Sequence, residues 1–471
     1  MISLARPVSC KWRKVKEKMK RMYRKNSLLV LALVAFPFTT AAAQELQTGE
    51  VLTLHQCMEY AVSHSTKMRL QEADRHDEQW LRRQAVMRVF TPSVDVQTYA
   101  YNQYGRNLDP ETNTYNTVTT FHNGYSASAG ITLFDGFQSI NNMKMAATAV
   151  KMGVSREQQT RDEICLATME AYCNVLYYSE LEAVLEGQVS TAKSSRDRAV
   201  RQEEVGQKGH ADVIQMEAEL AQKEYQLVTA RNQKTNALIT LKDVMFWPAG
   251  DVLEIETALP APQLAPVQSA ELSVYAMQSL PAAEIAAMNR KKAALDLKSA
   301  RGAYAPTLGL YAGWSTTYYT YPGKTDYKAV SFKDQFKNNA GEYLQLTLRI
   351  PIFDQFSRRT TLNLKKSAVF RAQVEYDQKM REIENEVVRA VSDRDGAQAA
   401  YSQADRLAEV QEEAYRLSTK QYEVGLISAI EFQTASQAYL NAKAERMNAL
   451  LQLQITDAVV RYYPGEPYIN Q

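Results

Sequence analysis

The stretch IPIFDQFSRR, residues 350–359, closes a run that alternates apolar and polar residues and opens a segment patterned as very long helix. A near-copy, ITLFDGFQSI at 131–140, sits in the first half of the chain. In both, Phe-Asp-x-Phe lies at the switch: Phe134-Asp135-Gly136-Phe137 and Phe353-Asp354-Gln355-Phe356, offset by 219 residues. A second pair of landmarks repeats at the same offset, EVGQKGHADV at 204–213 and EVGLISAIEF at 423–432. Similarity at a fixed offset marks an internal duplication.

Between these landmarks each half holds one Pro-free segment, about 137–204 and about 356–422, rich in Ala, Glu, Gln, Lys, Arg and Leu with apolar residues at helical spacing. At 1.5 Å per residue each predicts a helix of roughly 100 Å, far beyond an ordinary globular helix. Shorter helical patterns cover about 54–90, 211–245, 271–303 and 430–461. Their lengths suggest end-to-end stacking of the second with the third and of the first with the last, giving four rods, two continuous and two composite. Four segments alternate with period two. The clearest has Leu344, Leu346, Leu348 and Ile350 on one side and Tyr343, Gln345, Thr347 and Arg349 on the other. Each is about ten residues long, enough for a tilted strand to cross a bilayer.

The resulting division has 1–43 as a signal peptide and 44–245 as a first repeat. That repeat has a helix about 54–90, strands about 92–104 and 121–134, a long helix about 137–204 and a helix about 211–245. A Pro-rich linker spans 246–270. The second repeat, 271–461, has a helix about 271–303, strands about 305–319 and 341–353, a long helix about 356–422 and a helix about 430–461, before a tail at 462–471. The leader reading rests on a basic segment ending Arg24-Lys25, the apolar NSLLVLALVAFPFTT and Ala41-Ala42-Ala43. Its long basic part allows a start at Met19 or Met22, and the lack of a lipobox predicts no lipid anchor.

The 471 residues carry a net charge of only +2, so nothing global points to nucleic acid. Mean hydropathy is −0.39 and no apolar run suits a spanning helix, although barrel strands hardly register in such averages. A soluble sheet buried on one side alternates identically. Membrane insertion is favoured by 27 tyrosines, with Tyr99, Tyr101, Tyr104, Tyr318, Tyr319 and Tyr321 gathered at strand ends beside the long polar loops at about 105–120 and 320–340. Four strands cannot close a barrel, and an open edge in lipid leaves backbone groups unsatisfied, so the chain must oligomerise; three copies would give twelve strands and twelve rods. The fold expected is mainly α with a membrane β portion. Of the three cysteines after the leader, Cys165 and Cys173 lie eight apart on one predicted helix, too far for a disulfide, and a buried apolar role is favoured for all three. The five histidines show no metal spacing, and no nucleophile elbow, P-loop or dinucleotide fingerprint stands out, so neither catalysis nor a cofactor is expected.

The duplicated helix–strand–strand–helix plan, IPIFDQFSRR with its partner LFDGF, and the doubled Val-Gly turns resemble the TolC-like outer-membrane efflux proteins. The resemblance covers about 50–465 and rests on the order and duplication of motifs that are individually weak. It implies a homotrimeric channel in outer-membrane lipid: a twelve-stranded β-barrel continued by a long periplasmic α-helical barrel. It further implies docking to a periplasmic adaptor (membrane fusion) protein and an inner-membrane pump, for efflux of small molecules or secretion of polypeptides. A soluble periplasmic coiled-coil adaptor is the rival reading, although an adaptor would carry one hairpin rather than two.

At the turns, Gly206 and Gly425 suit helix C′ positions, Gly209 and Ser428 suit N-caps, and Glu431 completes a capping box with Ser428, with Asp212 in the matching place. These acids can serve helix capping alone. The resemblance adds a periplasmic gate, in which Asp212 and Tyr422 hold the entrance shut and Glu431 lines a cation-attracting constriction, with the hairpin turns docking the adaptor. Two departures weaken it: Ile427 stands where the family has a gate arginine, and Thr434 where it has a second acid. At the junction Asp135 and Asp354 read as N-caps, Pro351 as a strand end, and Phe134 and Phe353 as flanks of a barrel-to-tunnel seam where no chemistry is expected.

Overall fold

A computed structural model describes residues 51–108, 114–117, 119–257, 262, 264, 266–323 and 330–470. The expected leader at 1–43 lies outside the described residues, as do parts of both polar loops and of the 246–270 linker. In chain order the first half contains β1 (Val51–Leu52), α1 (Leu54–His64), α2 (Thr66–Phe90), β2 (Ser93–Gln103), β3 (Arg106–Leu108), β4 (Tyr115–Thr117) and β5 (Thr120–Phe134). A first hairpin follows, α3 (Gln138–Glu204) and α4 (His210–Met245), and then β6 (Glu254–Ile255), which pairs in parallel with β1. The second half contains α5 (Ser269–Ser279), α6 (Pro281–Gly302), β7 (Thr307–Thr320), α7 (Phe332–Asn338) and β8 (Gly341–Arg349). It ends with a second hairpin, α8 (Ser357–Glu423) and α9 (Ala429–Tyr462), and a 3-10 turn at Tyr468–Asn470.

α3 and α8 each run 67 residues, about 100 Å at the helical rise. α3 packs on α2 and α6 toward the sheet and on α4 and α9 toward the hairpin turns, while α8 packs on α5 and α6 and then on α9. The stacking therefore differs from the expected pairing: α1 and α2 stand over α4, and α5 and α6 over α9. Lengths could not decide this, because the four short segments are nearly equal and any pairing gives a similar sum. At the changeover Leu272 and Ala276 of α5 and Val460 of α9 share one buried cluster with Ile383 and Val387 of α8. Among the described residues no helix is long and apolar enough to cross a membrane.

Two helices drawn as single pieces are broken. The pattern at 54–90 divides at Ser65, whose extended backbone lets its hydroxyl cap Lys67 N–H at 3.1 Å. The pattern at 271–303 starts earlier, at Ser269, and divides at Leu280. Pro281 lacks a donor and pushes the preceding residue out of the helical region, so Leu280 sits at φ −66°, ψ 139° and Pro281 takes the first helical position.

The four longer strands form one antiparallel sheet in the order β2-β5-β7-β8. The register puts Val94 opposite Ala129, Ala129 opposite Ala312 and Ala312 opposite Leu344, one row of an apolar face continued by Leu310 and Leu346. The opposite face carries Gln97, Ser126, Ser315, Tyr311 and Gln345. A bulge between Thr132 and Phe134 gives Phe134, rather than Leu133, the place opposite Leu308 on the apolar face. β8 ends at Arg349, so Pro351 and Phe353 belong to the connector, a correction to the strand end expected at 353.

Part of the second polar loop is helix. In α7, Ser331 caps Asp334 N–H at 3.2 Å, and Phe332 and Phe336, four residues apart, lie against Tyr318, Tyr125 and Trp314 at ring distances of 5.3–5.5 Å. β8 no longer flanks β7 beyond Ser315. The buried Gln335 amide takes its place, donating to Tyr319 C=O at 2.9 Å and accepting from Tyr319 N–H at 3.0 Å.

Candidate functional site

Two zones gather the residues singled out by the sequence: the sheet-to-helix junctions and the hairpin turns. At each junction two successive residues are left-handed, Gly136 (φ 69°) with Phe137 (φ 64°) and Gln355 (φ 57°) with Phe356 (φ 63°). That doublet swings the chain from strand to helix. The formal N-caps are therefore Phe137 and Phe356, not Asp135 and Asp354. The aspartates serve the same first turn from outside it: Asp135 Oδ2 accepts from Ser139 N–H at 2.8 Å and Asp354 Oδ2 from Arg358 N–H at 3.0 Å. Asp354 also accepts from Arg358 Nε at 2.8 Å, and the same guanidinium donates to Pro351 C=O at 3.0 Å. Partial desolvation works to raise the Asp354 carboxyl, but these bonds prevail and hold it below the usual carboxylate range.

The first junction contains a contact the sequence reading missed. A Cβ on Gly136 would stand 2.2 Å from Gly302 C=O, and one on Gly302 would stand 2.3 Å from Gly136 C=O. The end of α6 thus docks backbone to backbone on the junction. Phe134 and Phe137 meet edge to face at 5.4 Å, and Phe353 and Phe356 repeat the arrangement at 5.9 Å.

Both hairpin turns are Schellman motifs. Gly206 N–H donates to Glu203 C=O at 2.9 Å and Gln207 N–H to Gln202 C=O at 2.8 Å; Gly425 and Leu426 repeat this with Tyr422 and Gln421 at 3.1 and 2.8 Å. Gly206 and Gly425 occupy C′ with φ of 73° and 76°. The two N-caps then diverge. Ser428 closes a full capping box, in which Glu431 Oε2 accepts Ser428 N–H at 2.7 Å and Ser428 Oγ accepts Glu431 N–H at 3.2 Å. Bonds from the Ser428 backbone and then its hydroxyl hold the Glu431 carboxyl below its ordinary range. Gly209 offers no side chain, and Asp212, in the first turn of α4, does not close an equivalent box.

Tyr422 is buried in a small core with Ala199 of α3, Val213 and Met216 of α4, and Ala429 and Phe432 of α9, so all four helix ends meet there. Its ring stacks on Phe432 at 5.1 Å. Its hydroxyl has no hydrogen-bond partner among the described residues, so the Asp212–Tyr422 link expected from the resemblance is not formed within one chain. Other groups join the hairpins instead: Arg198 of α3 pairs with Glu423 of α8 at 2.9 Å, and Gln433 of α9 donates to Gln215 C=O of α4 at 3.3 Å. Higher in the same bundle, Lys223 and Glu219 of α4 are buried together at 3.7 Å, with Lys223 Nζ 3.4 Å from Gln437 Oε1 of α9. Cys57, Cys165 and Cys173 are buried free thiols, pushed up to about 12 by burial. Among the described residues no group of three or more His, Cys, Asp or Glu is placed to hold a metal ion.

A family model described as "Outer membrane efflux protein" matches residues 82–245 and 275–465, which take in both hairpins and all four sheet strands. Protein CyaE of Bordetella pertussis is 25% identical over 282 residues, 58% of this chain and 56% of that protein, so the match spans little more than half of this relative's length. Among solved structures, CusC superposes with a TM-score of 0.74 at 15% identity, covering 88% of this chain and 92% of its own. The outer membrane protein VceC of Vibrio cholerae superposes with a TM-score of 0.72 at 14% identity, covering 88% and 96%. At such identities the superpositions speak for the fold, and the family match, reaching well over half of the chain, speaks for descent. The chain belongs to the outer membrane efflux protein family.

Proposed function

We propose that three copies of this chain form an outer-membrane exit duct. Their sheets close a twelve-stranded barrel in the membrane, and their helices continue it as a tunnel into the periplasm. The observation that carries this reading is the sheet itself. It is apolar on one face and polar on the other, and β2 and β8 stand at its edges with no further strand among the described residues. In lipid those edges must be satisfied by copies of the same sheet, because no water is present to bond them. The sheet leads directly into helices of 67 residues, a length suited to a periplasmic conduit.

In this reading small molecules or polypeptides enter between the hairpin turns, supplied by an inner-membrane pump through a periplasmic adaptor that docks on the turns at Gly206, Gly209, Gly425 and Ser428. Tyr422, Asp212 and Glu431 form the gate. The buried, unpartnered Tyr422 hydroxyl supports a bond to a neighbouring copy in the closed trimer, because a buried hydroxyl without a partner is costly. Glu431, held ionised by its capping box, supplies one carboxylate per copy to a ring at the entrance. The test is fractionation followed by conductance. Heat-modifiable trimers in the outer membrane that open channels in planar bilayers support the duct, and a soluble periplasmic monomer rejects it.

A further inference from the structure

The junction carries more than a change of direction. Phe134, opposite Leu308, carries the apolar face of the sheet into the first aromatic pair, and the rings beside both junctions are left uncovered: Phe137 is 59% exposed, Phe356 58% and Phe353 73%. The Arg359 guanidinium lies over the Phe356 ring at 5.9 Å, so this charge shares the side of the molecule that the rings occupy. Arg88, in the last turn of α2, and Arg301, in the last turn of α6, stand at the same level on two other helices and are exposed. None of these three arginines is in an ion pair among the described residues. The two junction carboxylates, Asp135 and Asp354, are both engaged, the first by Ser139 and the second by Arg358.

The result is a belt with exposed aromatic rings and guanidinium groups outside any ion pair, at the rim where the sheet ends. Aromatic rings favour the interfacial depth of a bilayer, and guanidinium forks bind phosphate oxygens. We propose that this belt, with Arg359 over Phe356 at its centre, binds the phosphate headgroups of anionic phospholipids in the leaflet facing the periplasm. The inference rests on the membrane reading given above, since it needs the apolar face to lie in lipid. The belt would fix the depth at which the sheet sits by holding phosphates at the level of the helix starts.

The experiment uses the full chain without its leader, reconstituted into vesicles of equal parts phosphatidylglycerol and phosphatidylcholine, extracted in mild detergent and analysed by native mass spectrometry for retained lipid. Phosphatidylglycerol should be retained in preference to phosphatidylcholine, with the preference weakened at high salt. Arg359→Gln should lower the ratio about fivefold, the factor that corresponds to ~1 kcal/mol per basic group at an anionic surface. Arg88→Gln should lower it further, and Arg359→Lys, which keeps the charge, should retain most of it. Equal retention of the two lipids by the native chain, or a ratio unmoved in both Gln variants, would overturn the lipid site while leaving the duct intact. A native chain that enters no vesicle overturns the membrane reading and the lipid site with it.

Discussion

Lys208 Nζ stands 4.0 Å from the centroid of the Tyr422 ring, tying the turn of the first hairpin to the last helical turn before the second. Phe432 covers the same ring at 5.1 Å, so it is held by the first hairpin and by α9 of the second. A cation over an aromatic face contributes roughly 0.5–2 kcal/mol, depending on desolvation. Ring and hydroxyl are therefore separable: the ring anchors the turns within one chain, and the hydroxyl has no hydrogen-bond partner among the described residues.

Tyr422→Phe should accordingly leave thermal stability nearly unchanged and raise single-channel conductance in planar bilayers. Asp212→Ala should do the same, because it also makes no capping box that its loss would disrupt. Conductance unchanged in both variants would remove these residues from the gate. Tyr422→Ala is the contrasting case. It deletes a core ring, with an expected cost of about 3–5 kcal/mol, and should lower the melting temperature markedly.

Glu431→Gln tests the entrance charge. The capping box depresses the carboxyl in the folded protein, so its stabilising contribution is present above the unfolded-state pKa and fades as pH falls through the lower folded value. The native chain should therefore lose the contribution only below about pH 4.3, whereas the Gln variant shows no such acid-dependent loss from this site. At neutral pH the variant should be blocked less strongly by multivalent cations. Block by cobalt hexammine that is equal in both proteins would place the charged ring elsewhere.

The junction makes a backbone prediction. Gly302→Ala forces a Cβ against Gly136 C=O, and the backbone on both sides leaves little room to relax, so a loss of about 1–3 kcal/mol is expected. Gly187→Ala, in the interior of α3 with open space around it, should instead stabilise by about 0.5–1 kcal/mol. Thermal melting of the two variants beside the native chain decides the matter. Equal shifts in the same direction would mean that the Gly136–Gly302 approach is not a constraint.

The parts of this fold legible in the sequence are those set by repeating pattern. Period two exposed the sheet and its apolar face, and long Pro-free stretches exposed α3 and α8, because a buried face imposes its spacing on every residue of an element. The parts that stayed hidden are decided by single residues or by contacts distant in sequence. Ser65 looks like any surface serine until its φ and ψ are known, although Pro281 could have marked the break at Leu280. The neighbours of α3 above and below the changeover could not be inferred, since no pattern along α2, α4, α6 or α9 specifies which helix it packs against. Asp135 and Asp354 read as N-caps and do accept from the first helical turn, but Phe137 and Phe356 are the N-caps, and the left-handed doublets that put them there have no sequence signature beyond Gly136. α7 was legible in principle, because Ser331 with Asp334 and Phe332 with Phe336 form a short capped pattern, yet the polar composition around it read as loop.

The buried pair of Glu219 and Lys223 yields a prediction whose sign depends on pH. Lys223 is 1% exposed and Glu219 4%, and their contacts run to Gln437 of α9, so both charges are desolvated between the hairpins. Burial pushes the Glu219 carboxyl up and the Lys223 ammonium down, each opposed by its partner. Removing one partner leaves the other buried alone, at a cost of about 3–5 kcal/mol, whereas replacing both by apolar residues of similar volume is neutral or stabilising by about 1–4 kcal/mol. Lys223→Met should therefore melt well below the native chain at neutral pH. Its deficit should shrink in acid, because a carboxyl raised in the folded state favours folding below the unfolded pKa and loses that advantage as pH rises through the folded value. Glu219→Met should behave in the opposite sense and recover as pH rises, because a depressed ammonium favours folding only once it is deprotonated. The double variant Glu219→Met with Lys223→Met should melt at or above the native chain at all these pH values. A double variant that melts below the native chain would show that the pair stabilises the bundle through its charges, and that polar attraction outweighs desolvation at this level of the hairpins.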